Sequence, residues 1–82
     1  MSLTKKEKEE IKEVLTREAL MDTVFHKNGL ITAKKKFIAL KGRTSKMYAE
    51  KIEQLIPSAT ITEHKTSGDL FIVKFELKGA NQ

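Results

Sequence analysis

Between residues 23 and 49 stand seven basic side chains, Lys27, Lys34, Lys35, Lys36, Lys41, Arg43 and Lys46, and no carboxylate. Ammonium and guanidinium groups gathered in this way neutralise phosphates, so the first chemistry the chain offers is polyanion binding. The flanks do not share it. Residues 1–22 carry five basic and six acidic groups, and residues 50–82 carry four and five. The net charge of +5 is therefore concentrated in the middle third. Val24, Phe25, Leu30, Ile31, Phe37, Ile38 and Leu40 lie in the same stretch, which predicts a folded segment rather than a tail. The competing reading is a solvated, lysine-rich face of a protein with another role.

Catalytic chemistry is poorly supplied. The chain has no cysteine, hence no thiol nucleophile, no thiolate metal site and no disulfide. Its two histidines, His26 and His64, lack the neighbours of a metal-ligand pattern. The acids Glu9 and Glu10 fall in a charge-rich stretch that reads as a surface helix, not as a catalytic pair. No glycine-rich phosphate loop is present. These absences argue against an enzyme, and no cofactor or metal is expected.

The elements that position the basic groups follow from pattern. Eighty-two residues make one domain, and a chain this short buries only about 60–65% of the surface its unfolded form exposes. Hydrophobic residues at 39% and charged residues at 33% fit a polar but globular chain. No run approaches the ~20 apolar residues of a membrane span. The early run Lys5-Lys6-Glu7-Lys8-Glu9-Glu10 stands where a secretory leader would be apolar. A soluble, cytoplasmic protein is expected, with no membrane partner.

Thr4 and Glu7 form a capping-box pattern. Ile11, Val14, Leu15 and Met21 then recur at helical spacing, with Leu20 nearby, which predicts a helix over 4–21. Asn28-Gly29 marks a tight turn, leading either back through a hairpin or into a second helix. Over 32–40, Leu30, Ala33, Phe37 and Leu40 share a helical face, with Thr32 as a possible cap and Gly42 as a stop. The spacing predicts a helix there, with a short strand at 37–40 as the alternative. Thr44 or Ser45 starts a helix over 44–56 that buries Tyr48, Ile52 and Leu55 and ends at Pro57. Two alternating stretches, 59–66 and 70–77, are joined by turn chemistry at 66–69 and predict an antiparallel hairpin. Phe71, Val73, Phe75 and Leu77 should face the core.

The expected class is α+β: three helices followed by a C-terminal β-hairpin. That element order, with the turn Leu40-Lys41-Gly42-Arg43-Thr44-Ser45, resembles the winged helix-turn-helix family over about residues 5–77. The resemblance implies recognition of double-stranded DNA by the helix that begins at Thr44. Arg43, Thr44, Ser45 and Lys46 would then lie nearest the bases, with Arg43 forking onto guanine. Lys34, Lys35, Lys36 and Lys41 would meet phosphates. Lys51 and Gln54 would face the groove, Gln54 reaching an adenine, while His64, Lys65, Thr66 and Ser67 would touch the neighbouring backbone. It further implies a small regulator, or an origin- or operator-binding domain of a mobile element, with a homodimer as one arrangement.

Two other functions stay open. One is a protein–protein module or small inhibitor docking an acidic partner through the first helix or a free hairpin edge. The other keeps nucleic acid but changes the fold, to a helix plus a β-α-β-β sheet that binds RNA on its surface. That sheet would lack the exposed aromatic pair on which single strands usually stack.

Overall fold

The computed structural model describes residues 4–36 and 44–77. Helix α1 (Lys5–Ala19) leads into a hairpin of β1 (Asp22–Phe25) and β2 (Ile31–Lys36). Helix α2 (Ser45–Leu55) follows, then the hairpin of β3 (Ala59–Ser67) and β4 (Leu70–Leu77). The four strands form one antiparallel sheet in the order β1-β2-β4-β3. Strands β2 and β3 therefore run in the same direction, and the connection containing α2 crosses over β4.

This arrangement overturns the expected three helices followed by a C-terminal hairpin: the described residues hold two helices and a four-stranded antiparallel sheet. The α+β class holds, and β2-α2-β3-β4 has a β-α-β-β-like layout with β1 as an additional strand. The strand of the alternative reading, at 37–40, lies outside the described residues, and the observed one is Ile31–Lys36. The decisive segment is Ile31–Lys36, a strand where a helix over 32–40 was expected. Ile31 and Ala33 are buried on one side, and Lys34 and Lys36 are exposed on the other, which is a period of two. Pairing with β1 along residues 31–34 on one side and with β4 along 31–36 on the other satisfies backbone groups on both edges of the strand. That gain outweighs the helix propensity of Ala33 and the lysines, which is high in rank but worth only about tenths of a kcal/mol per residue. The portion of the expected helix at 37–40 lies outside the described residues, as does the proposed stop at Gly42.

Elsewhere local chemistry and structure agree. The Thr4 hydroxyl accepts from the Glu7 N–H at 3.1 Å, and the Glu7 carboxylate accepts from the Thr4 N–H at 2.9 Å. Thr44 caps α2 by accepting from the Met47 N–H. Asn28-Gly29 closes the first hairpin, with Gly29 at φ 89° and Asn28 accepting from the Leu30 N–H. The second hairpin turns tightly at Gly68, φ 60°.

The end of α1 is different. Leu20 takes the left-handed conformation (φ 55°, ψ 40°) that glycine usually supplies after a helix. Its N–H and that of Met21 satisfy the last carbonyls, Thr16 and Leu15, both at 3.1 Å. For a residue with a Cβ this conformation costs about 1–2 kcal/mol. The Leu20 side chain is 68% exposed, so burial does not offset that cost.

Both helices pack on one face of the sheet and on each other. Leu15, Met21, Ile31, Ile52, Val73 and Phe75 are the fully enclosed centre, and the Tyr48 ring stands 5.1 Å from Phe71. As expected, Phe71, Val73 and Phe75 point inward, with Leu77 half-buried. The register of β3 shifts between Ile61 and Glu63. This bulge at Thr62, whose hydroxyl donates to the Lys74 carbonyl, changes which residues of β3 face the helices. Before it Ala59 and Ile61 lie on the helix side; after it His64, opposite Val73, and Thr66, opposite Phe71, take that side, both still exposed. The other face of the sheet carries no helix among the described residues.

Candidate nucleic-acid interface

The strand period and the register assign the side chains of the open face. Asp22, Lys34, Ile72 and Lys65 lie in one row across the four strands. Val24, Thr32, Lys74 and Glu63 lie in the next. Beyond the first row come Lys36, Leu70 and Ser67. Four lysines from three strands thus surround Ile72, although they are widely spaced in sequence.

Between these rows lies a shallow concavity of about 330 Å³. Its floor is apolar, from Val24, Leu30 and Ile72, and its polar lining is Lys34, Lys65, Lys74, His26 and Thr32. No carboxylate lines it. His26 Nε2 lies 2.8 Å from the Thr32 hydroxyl, which holds the imidazole at the rim. Glu63 stands beside the hollow and is shared between Lys65 at 3.2 Å and Lys74 at 3.9 Å. Lys36 has only a long contact to Asp69, 3.9 Å, at the hairpin tip. Lys34 makes no ion pair among the described residues. The same face also carries Asp22, opposite Lys34, and Glu76, further along β4, so the excess of positive charge is confined to the hollow itself, where three lysines meet no lining carboxylate. Exposed pairs of this kind contribute little, so an arriving phosphate can displace them.

The sequence-predicted site is only partly assembled. Lys34, Lys36, Lys65 and Ser67 share the open face. Lys35, between two of them in sequence, points to the helix side, where it is half-buried. Lys46, Lys51 and Gln54 are exposed on α2, where Glu50 and Glu53 offset the two lysines. Ser45 is not available to read bases. It is buried, and its hydroxyl lies 3.0 Å from His64 Nδ1, tying the start of α2 to β3. Thr44 is occupied as the helix cap. His64 is on the helix side, tied to Ser45, while Thr66 stands exposed near the hairpin turn, on the side of the sheet away from Lys65. Lys41 and Arg43 lie outside the described residues. The basic groups of the middle third therefore do not form one platform: those described divide between the two faces of the sheet, the first turn and α2.

Val24, His26, Thr32, Ile72 and Lys74 were missed by sequence reasoning. The alternation over 70–77 did place Ile72 and Lys74 opposite the core. What was lacking was the pairing of β4 with β2, which brings Lys74 beside Thr32 and Ile72 beside Lys34.

Among the described residues no group of three or more histidine or acidic side chains is placed to hold a metal ion. No described helix is long and apolar enough to cross a membrane. No family model matches the chain, and neither the curated proteins nor the solved structures provide a match.

Proposed function

We propose that this chain binds double-stranded nucleic acid, DNA in the first instance, on the open face of its sheet. The observation that carries the reading is the carboxylate-free hollow in which Lys34, Lys65, Lys74 and His26 surround an apolar floor. Strands β2 and β3 are two strand spacings apart, about 10 Å. Lysines on both can reach phosphates on either side of a groove about 12 Å wide. Val24 and Ile72 would then lie against sugars. Duplex is favoured over single strands because Phe25, Phe71, Phe75 and Tyr48 all belong to the core side, leaving no stacking platform among the described residues. Contacts of this kind hold a backbone and read shape more than base identity. The recognition-helix mechanism is not part of the reading. A cytoplasmic setting belongs to the same proposal and rests on the cysteine-free, polar sequence.

The test is fluorescence anisotropy with a labelled duplex across a salt series. Four lysines meeting phosphates give a slope of log affinity on log salt near about −3.6. Reversing Lys34, Lys65 and Lys74 to glutamate abolishes binding, whereas Lys46→Glu with Lys51→Glu leaves most of it. Binding that survives the triple reversal, or a flat salt dependence, overturns the reading.

A further inference from the structure

On the opposite side of the molecule, the end of α1 and the first turns of α2 enclose a groove of about 450 Å³. Its floor is Ala19 and Tyr48, and its walls are Leu20 and Met47. These last two are among the few large apolar side chains the described residues expose, at 68% and 45%. Leu20 carries a second, independent cost, since it alone among non-glycine described residues has a positive φ. The left-handed backbone serves to end α1, but a glycine or asparagine would do so at less cost, and the exposed leucine side chain itself has no use in the isolated fold.

The rim says what kind of partner fits. Lys35 and Lys51 line it, and neither makes an ion pair among the described residues. The one acid there, Glu18, is engaged by Arg17 at 3.1 Å. The lining thus carries two lysines without ion pairs around an apolar slot, half-buried Lys35 and exposed Lys51, with Glu50 and Glu53 elsewhere on α2 outside the lining. This complementarity points away from a second copy of the chain through α1, whose five basic and five acidic residues balance.

We propose that this groove docks an acidic, amphipathic segment of a protein partner, with Leu20 and Met47 gripping its apolar side chains and Lys35 and Lys51 pairing with its carboxylates. The surface is separate from the sheet face, so the protein would join a nucleic acid to a protein. Leu20 is the anchor, and its strained geometry holds the side chain out of the core and against the partner.

Displayed random dodecapeptides selected on the folded full chain test this. The expected winners combine two apolar residues at helical spacing with several Asp or Glu. Leu20→Asn keeps the left-handed turn, because asparagine tolerates it. It should weaken the best peptide by at least about tenfold while leaving the melting temperature unchanged or higher. Lys35→Glu with Lys51→Glu should reverse the charge preference of the selected peptides, and an excess of duplex DNA should not displace them. Selection that yields no acidic binder, or binding indifferent to Leu20→Asn, overturns the proposal. So does a clear fall in melting temperature for Leu20→Asn, since the leucine would then be covered by the chain itself. Loss of duplex binding in the sheet variants would leave this proposal standing, so the two readings fail separately.

Discussion

At the scale of single residues, two positions expose the chemistry of the fold most clearly. The Thr23 hydroxyl is buried and has no hydrogen-bond partner among the described residues. A buried hydroxyl without a partner costs about 1–3 kcal/mol of desolvation. Thr23→Val keeps the shape and the β preference, so urea unfolding should show equal or greater stability, by up to about 1 kcal/mol. At the other end of the same logic, Glu7 is held below the usual glutamate range by accepting from the Thr4 backbone N–H, with the Thr4 hydroxyl adding to the effect. A lowered carboxyl stabilises the fold at pH above the unfolded value, and the contribution disappears as pH falls through the folded value. Helix α1 should therefore begin to fray at its amino end only in acid. Following Glu7 by NMR through a pH titration checks this, and in Thr4→Ala, which keeps the backbone N–H but loses the hydroxyl, its titration should move only part of the way back up.

At the scale of elements, the turns carry defined costs. Gly68 sits at φ 60° with open space where a Cβ would point, so Gly68→Ala pays only the backbone term, about 1–2 kcal/mol on unfolding. In Phe75→Ala, a fully enclosed ring of the central strand β4 is lost, and the expected cost is about 3–5 kcal/mol. Against this background, the readable and unreadable parts of the sequence separate by mechanism. Capping residues and tight turns act locally, so Thr4 with Glu7, Thr44 and Asn28-Gly29 announced their elements correctly. The alternation of Phe71, Val73 and Phe75 did the same for β4. Strand β2 was hidden because Leu30, Ala33 and Phe37 also satisfy a helical spacing, and six residues are too few to separate the two periods. Only pairing with partners about 10 and 40 residues away selects the strand. The candidate site suffered for the same reason. A run of three lysines reads as one patch on a helix, whereas on β2 it sends Lys35 to one face and Lys34 and Lys36 to the other. Lys65 and Lys74 join the site through register, and the bulge at Thr62 turns His64 to the helix side, toward Ser45. Hydrogen exchange gives the check: the amides of Ile31 and Ala33 should rank among the slowest, as a strand between two partners requires.

At the scale of the whole molecule, charge and apolar exposure fall on two opposite surfaces. The sheet face gathers Lys34, Lys36, Lys65 and Lys74 with His26, and the helix layer carries the Leu20–Met47 groove. Neither surface corresponds to the contiguous basic stretch of the sequence. The fold divides that stretch between them, and imports Lys65, Lys74 and Lys51 from outside it. The central claim is that the open sheet face is where a polyanion binds. The most direct measurement is an amide chemical-shift titration of the labelled protein with a short DNA duplex at moderate salt. The changes should concentrate on Val24, Thr32, Lys34, Lys65, Ile72 and Lys74, with Met47, Lys51 and Gln54 unmoved. Shifts concentrated on the amino-terminal turn of α2, or no shifts while duplex is in excess, would contradict it.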